Sequence, residues 1–339
     1  MIIRSKAPLR LGLAGGGTDV SPYSDIYGGS ILNATISMYA HTSIEPTNDG
    51  KVVFSAPDKG LIEQYDNASY IEPEGYFILH KGVYNSIVKN FTHKPLSLKI
   101  ASYVDAPAGS GLGTSSTLVV SILGAYVEWL KLPLGEYDIA HLAYEIERVD
   151  LNLAGGKQDQ YAATFGGFNF MEFNGDKVIV NPLRIRQKYQ DELCHNLVLY
   201  YTDTSHVSAE IIKEQQQNVK QNNTSSIESM HKLKEQALLM KEALLKGNID
   251  EIGKILDFGW QYKKLMAKSI TNPFIDKIYS SAIESGATGG KISGAGGGGF
   301  MFFYCPNLTR HNVSKTLENL AGQIKRYEFT NEGLKTWTM

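Results

Sequence analysis

Apolar residues recur at two periods along this chain, and the switches between those periods mark its elements. Leu9, Leu11 and Leu13 are spaced by two and run into Ala14-Gly15-Gly16-Gly17-Thr18-Asp19, which predicts a strand ending in a tight polar turn. Strand-like runs follow at Ile31-Leu32, Ile36, Met38-Tyr39 and Val52-Val53-Phe54. With turn residues Asn48-Asp49-Gly50 among them, residues 30 to 58 predict an antiparallel hairpin. Residues 76 to 91 predict a helix, and Leu96-Ser97-Leu98-Lys99-Ile100 predicts a strand continuing through Tyr103-Val104. The period then turns helical. Leu118, Val119, Ile122, Leu123, Tyr126, Trp129 and Leu130 cover most of a helical circumference, so residues 114 to 130 predict a buried helix with Thr114 or Ser115 near its N-cap. Ile139, Leu142, Ala143 and Ile146 keep helical spacing, while Ala140, Ala143 and Glu147 form a neighbouring stripe that ends in a carboxylate. Gly166-Gly167 opens a strand over 168 to 173.

Beyond Pro182 the pattern changes. The charged run Arg184, Arg186, Lys188 separates strand-like segments, and a boundary falls within residues 182 to 195. The second half is rich in helix. Ser225 with Glu228, and Asn248 with Glu251, have capping-box spacing at two helix starts; Asn272-Pro273 supplies a cap and an N1 proline for a third helix, closed by Gly286. A strand over 300 to 304, a helix over 311 to 321 and a strand over 323 to 329 complete a mixed α+β unit. At 339 residues the chain exceeds the usual size of one core, so we expect two domains, 1 to 188 and 189 to 339, with a cleft between them.

Composition narrows the function classes. Hydrophobic residues at 42% and charged residues at 20% describe a globular chain with ample core material, and a net charge of -2 gives no reason to expect nucleic acid or an anionic membrane as partner. No apolar run approaches membrane-spanning length, and the N-terminus lacks the apolar stretch of a signal peptide. The two cysteines, Cys194 and Cys305, have no metal-like spacing, which fits reduced thiols in a cytoplasmic protein.

Candidate chemistry centres on Pro107-Ala108-Gly109-Ser110-Gly111-Leu112-Gly113-Thr114-Ser115-Ser116, where alternating glycines and hydroxyls precede the buried helix. Small residues let backbone approach a ligand closely, and the first N–H groups of a helix have no intrahelical partner, so the stretch reads as a phosphate cradle. It contains no lysine, which removes a Walker loop, and Thr114 breaks the dinucleotide fingerprint. Asp257-Phe258-Gly259 imitates a protein-kinase triplet but has none of the accompanying motifs.

Three glycine-rich stretches in order, Lys6-Ala7-Pro8-Leu9-Arg10 through Asp19, Pro107 to Ser116, and Lys291 to Phe300, together resemble the three motifs of the GHMP kinase superfamily. Pro8-x-Arg10, Gly15 and Thr18-Asp19, with Gln158-Asp159-Gln160, are similar to its galactokinase-like sugar kinases, and the text of 6 to 19 and 146 to 168 resembles the D-glycero-D-manno-heptose 7-phosphate kinases. The resemblance implies an α+β fold with an N-terminal domain like domain 2 of ribosomal protein S5 and a ferredoxin-like C-terminal domain. It implies ATP as donor, Mg2+ held by Ser116 and Glu147 (with Glu145 as rival), and a sugar or sugar phosphate as acceptor, phosphorylated at its anomeric hydroxyl. Residues 107 to 116 would hold the nucleotide. Asp159 would be general base, Arg10 would neutralise the moving phosphoryl group, and Lys6 matches the first motif by position. Gly16, Gly17, Thr18, Asp19, Asp159, Gly296 and Gly297 would contact the acceptor. Where an arginine is expected, the chain has Thr202-Asp203-Thr204-Ser205-His206, which keeps open a free sugar such as fucose as the acceptor. A non-catalytic nucleotide or sugar sensor is the third reading, and the presence of Asp159, Glu147 and Ser116 together argues against it.

Overall fold

The computed structural model describes residues 1–204 and 208–339. Among these, twelve strands form two sheets. The larger contains β1 (Ile3–Ala14), β2 (Gly29–Pro46), β3 (Lys51–Ala56), β4 (Leu61–Asp66), β5 (Leu98–Val104), β6 (Phe168–Asn174) and β7 (Lys177–Pro182). The smaller contains β8 (Leu197–Tyr201), β9 (Gly289–Ile292), β10 (Phe300–Tyr304) and β11 (Gln323–Lys325) in the order β11-β8-β10-β9. The last strand, β12 (Lys335–Thr338), returns to the larger sheet and pairs with β1, Ile3 opposite Thr338. Helices α1 (Tyr23–Tyr27), α2 (Ile78–Ile87), α3 (Thr114–Leu130), α4 (Glu136–Tyr144) and α5 (Gln158–Phe165) accompany the first seven strands. The remainder are α6 (Gln187–Asn196), α7 (Ser208–Lys220), α8 (Thr224–Lys246), α9 (Ile252–Met266), α10 (Pro273–Glu284) and α11 (Arg310–Glu318). No helix among the described residues is long and apolar enough to cross a membrane.

The hairpin expected over 30 to 58 does not form. The larger sheet runs β12-β1-β2-β5-β3-β4, so β5 lies between β2 and β3. β3 pairs antiparallel with β4 and parallel with β5. The local turn exists, with Asp49 accepting from Thr47 Oγ1 and the Lys51 N–H, but the connection carrying α2 brings back an apolar strand whose Leu98 and Ile100 are buried. A parallel neighbour needs such a crossover, and turn residues alone cannot reveal it.

Two cores pack against the larger sheet. In one, Val119, Ile122, Leu123 and Tyr126 of α3 meet Ile3, Ile44, Phe54 and Ile100. In the other, Leu9, Leu11 and Leu13 meet Leu197, Leu199, Phe300 and Phe302 of the smaller sheet, so one continuous core joins the two halves. Strand alternation points the residues between those leucines the other way. Arg10 pairs with Asp159, and a Cβ on Gly12 would stand 3.8 Å from Gln158 Oε1, both on α5.

Helix ends differ from the prediction in instructive ways. The N-cap of α3 is Gly113 rather than Thr114 or Ser115. α8 is capped by Asn223, whose side chain accepts from the Ser226 N–H, ahead of the Ser225 that the capping-box spacing implied. Asn272 caps α10 as expected, accepting from the Phe274 and Ile275 N–H groups. The strand expected over 323 to 329 stops at Lys325, and Phe329 instead bridges Ile36 in the larger sheet. Cys194 and Cys305 are free thiols.

Candidate active site

The 15 to 19 turn, the 108 to 116 loop and the start of α5 converge on a cavity of about 520 Å³ whose wall is completed by residues of the 147–156 segment, by α7 and α9, and by Gly294 and Ala295. The loop needs its glycines. Gly111 and Gly113 have φ of 81° and 80°, a region L side chains rarely enter. A Cβ on Gly111 would come within 2.3 Å of the Ser293 carbonyl, and one on Gly113 within 3.1 Å of Asp159 Cγ. Gly113 therefore starts α3 because its left-handed φ, with Asp159 close beside it, disfavours a hydroxyl-bearing cap. No side chain caps that helix start, so its first-turn N–H groups remain available to an anion at the cavity. Ala108, Gly109, Gly111, Gly113, Thr114, Ser115 and Ser116 line the cavity. Ser110 and Leu112, expected to hold nucleotide, are instead fully buried; their carbonyls accept from the Phe300 and Arg10 N–H groups, and Pro107 sits outside at the loop's start.

Arg10 is 3% exposed and joins three segments. Its Nε and Nη2 each lie 2.7 Å from Asp159 Oδ1, and Nη1 donates to the Gly111 carbonyl at 2.6 Å and to Ser293 Oγ at 3.2 Å. Asp159 Oδ2 has no hydrogen-bond partner among the described residues, and its side chain keeps 21% exposure. One carboxylate oxygen is thus fixed and the other open to the cavity.

Asp19 holds this arrangement. It is 1% exposed and accepts from the Lys157 and Gln158 N–H groups at 2.9 and 3.1 Å, capping the start of α5 from outside the helix. Burial raises its pKa, while the Gln158 N–H opposes the rise. Asp19 also lines the cavity, as does Gly17. Thr18 does not. Expected to contact the acceptor, it is fully buried; its hydroxyl donates to the Gly15 carbonyl and accepts from the Ser30 N–H, which closes the turn. Gly296 and Gly297 are also turned away, packed on Ile270, whose carbonyl accepts from the Gly297 N–H; Gly294 and Ala295 form that part of the wall. Lys6 lies apart from the cavity with its ammonium 4.6 Å from the Tyr39 ring centre. Ser205 and His206 lie outside the described residues.

Glu147 reaches the cavity through a break in helical regularity. α4 passes into a π turn, Glu145–Asp150, closed by a bond from the Leu151 N–H to the Ile146 carbonyl. Both Glu147 and Arg148 lie in this turn and line the wall. Glu147 is 1% exposed and accepts from Ser115 Oγ and Gln160 Nε2, each at 2.7 Å, with Arg148 Nη1 at 3.3 Å. Ser116 Oγ accepts from Gln160 Nε2 at 3.1 Å and Arg148 Nη2 at 3.2 Å. Glu145 is exposed beside His141 and does not line the cavity. Hydroxyl and carboxylate oxygens on one wall make a hard donor set that suits magnesium, an ion that keeps several waters and needs few protein ligands.

Among the wall residues given no role from the sequence are Lys263, Gln215 and Arg148. Lys263 left a signal. On α9 the buried face reads Ile252, Leu256, Trp260, Lys263, Met266, with a cation where the stripe calls for an apolar residue. Burial lowers its pKa to about 8; Arg10 acts in the same direction and Asp19 against it. Lys291, within the third glycine stretch, is held well below the ordinary lysine value by burial and by Lys263, and donates to the Gly12 carbonyl at 2.8 Å.

The model of the GHMP kinases N terminal domain matches residues 79–167 and that of the GHMP kinases C terminal domain matches residues 240–319. Over 336 residues the chain is 48% identical to D-glycero-alpha-D-manno-heptose 7-phosphate kinase of Campylobacter jejuni, spanning 99% of this chain and 98% of that protein. A crystal structure described as a D-glycero-D-manno-heptose 1-phosphate kinase from Bacteroides thetaiotaomicron superposes with a TM-score of 0.85 at 48% identity, covering 99% of each chain. A mevalonate kinase structure superposes with a TM-score of 0.77 at 20% identity over 98% of this chain and 100% of that one, a likeness of fold alone.

Proposed function

The chain belongs to the GHMP kinase family, and from that premise we propose that it transfers the γ-phosphoryl group of ATP to the anomeric C1 hydroxyl of D-glycero-D-manno-heptose 7-phosphate. The product would be the 1,7-bisphosphate. The observation that carries this reading is the Arg10–Asp159 pair, set where the phosphate loop meets the 15 to 19 turn.

In this scheme the loop and the open start of α3 hold the donor phosphates. Asp159 Oδ2 accepts the proton of the C1 hydroxyl as its oxygen attacks phosphorus; the bond between phosphorus and the β,γ-bridging oxygen breaks and ADP leaves. Arg10 keeps Asp159 Oδ1 fixed and, by its charge, favours the developing phosphoryl charge. Ser116 and Glu147 are the residues that would hold magnesium, which supplies charge neutralisation to the donor phosphates. Lys157 and Gln158, tied to Asp19, fix the orientation of α5 and so the reach of Asp159.

An ADP-release assay against heptose 7-phosphate, free heptose and hexoses such as fucose tests the reading. Turnover of heptose 7-phosphate at a kcat/KM at least about 100-fold above the unphosphorylated sugars is expected, a margin of the size a site gains by pairing a charged group. A preference for a free sugar would reassign the acceptor, and ADP release with none of them would remove the sugar-kinase reading.

A further inference from the structure

The transfer chemistry leaves one polar wall of the cavity unused. α7 and α9 bring Gln215 and Lys263 against the 15 to 19 turn. A Cβ on Gly16 would stand 3.9 Å from the Nζ atoms of both Lys263 and Lys291, and one on Gly17 would stand 3.6 Å from Gln215 Oε1. Gln215 and Lys263 are each 2% exposed, and both line the cavity. Lys291 is accounted for by the Gly12 carbonyl. The other two are not. Among the described residues Gln215 Nε2 has no hydrogen-bond partner, and Lys263 has neither a hydrogen bond nor an ion pair, only the longer-range charges of Arg10 and Asp19.

A buried ammonium and a buried amide donor are costly to leave unmatched, so their shared vicinity is built for an incoming acceptor of hydrogen bonds. The charge there decides its sign. Arg10 is already committed to Asp159, and Asp19 is held by the Lys157 and Gln158 N–H groups, so no carboxylate is left to pair with Lys263. A phosphate would restore the balance. It could come from the donor or from the acceptor, and the packing favours the acceptor: Gly111 and Gly113 of the donor loop abut Ser293 and Asp159, whereas Lys263 and Gln215 face Gly16 and Gly17.

We infer that Lys263 and Gln215 together bind a phosphate monoester carried by the acceptor, on the Gly16–Gly17 side of the cavity. The assignment rests on the acceptor being a sugar phosphate, and it uses no residue between 205 and 207. It makes Lys263 a determinant of acceptor specificity that the glycine-rich motifs do not contain.

Titration calorimetry of the full chain with heptose 7-phosphate, free heptose and ATP, each alone, tests it. Lys263→Met is expected to weaken heptose 7-phosphate about 10- to 100-fold, the loss of one charge-assisted contact, and to change free heptose and ATP by less than about threefold. Gln215→Glu, isosteric but negative, is expected to weaken the 7-phosphate selectively as well, and carries the test if Lys263→Met fails to fold. Equal losses for phosphorylated and free heptose would overturn the inference, and so would a loss confined to ATP, which would give Lys263 to the donor. So would a wild type that binds the two heptoses equally. If instead the wild type prefers a hexose 6-phosphate over the hexose, and Lys263→Met abolishes that preference, the phosphate site stands and the heptose reading falls.

Discussion

Asp159 has one oxygen held by two nitrogens of Arg10 and the other without a hydrogen bond among the described residues, which is the arrangement a proton acceptor needs: fixed in direction, free in valence. Asp159→Asn keeps the shape and the contact to Arg10 through its amide oxygen but cannot take a proton. We expect ATP affinity to be retained and kcat to fall by roughly 10² to 10⁴; turnover within a few-fold of wild type would assign proton acceptance elsewhere. The surrounding residues show how far local sequence reaches. Asp19, placed beside the acceptor by motif position, both lines the cavity and caps α5 through the Lys157 and Gln158 N–H groups. Thr18, its neighbour, is spent on the turn itself. Both are polar residues after three glycines, and no spacing rule separates the one that faces the cavity from the one that faces the protein. Lys263 did leave a trace, a cation on an apolar helical stripe, but a stripe says only that a residue is buried.

At the scale of elements, irregularity does the positioning. The π turn at Glu145–Asp150 interrupts the helix where Glu147 and Arg148 both reach the cavity wall. The glycine at the start of α3 serves a similar end, trading a side-chain cap for closeness to Asp159. α2 carries a different consequence. His80 is 3% exposed, set against Phe54 and Phe77, with Nε2 at 2.7 Å from Ser102 Oγ and Nδ1 unpartnered among the described residues. Burial lowers its pKa from 6.5 to about 3, with nearby Glu63 opposing the shift. A histidine whose pKa falls on folding is neutral in both states above 6.5; between 6.5 and about 3 the unfolded chain takes up a proton that the folded chain refuses. The stability that His80 contributes is therefore complete above 6.5 and is lost as pH falls through that window. Chemical denaturation of His80→Asn between pH 6 and 4 should lose stability less steeply than wild type by about 1.4 kcal/mol per pH unit. Identical slopes would mean that His80 protonates in place.

Across the whole molecule, the two halves share a core, and the chain's end is tied to its beginning. Leu334 packs where a Cβ on Gly124 of α3 would stand, its N–H donates to the Thr164 carbonyl, and Thr336 and Thr338 donate to Glu128. β12 also covers the free edge of β1, whose unpaired N–H and C=O groups would otherwise invite another strand. Truncation after Gly333 is expected to cost at least about 2 kcal/mol, mainly through loss of Leu334, and to promote aggregation. Because the tail is remote from the cavity walls, the KM for ATP of the protein that remains folded should be unchanged; a raised KM would tie the tail to the site. The sequence by itself determined the long helices, the α+β class, the family and the segments that carry Arg10, Asp159, Glu147 and the phosphate loop, because each rests on local periodicity or on chemistry confined to a short motif. Tertiary structure alone decided that β5 enters between β2 and β3, that the last strand crosses to the first sheet, and that Lys263 and Gln215 meet the 15 to 19 turn. Those depend on which surfaces bury one another, and burial between segments far apart in the chain leaves no period to read.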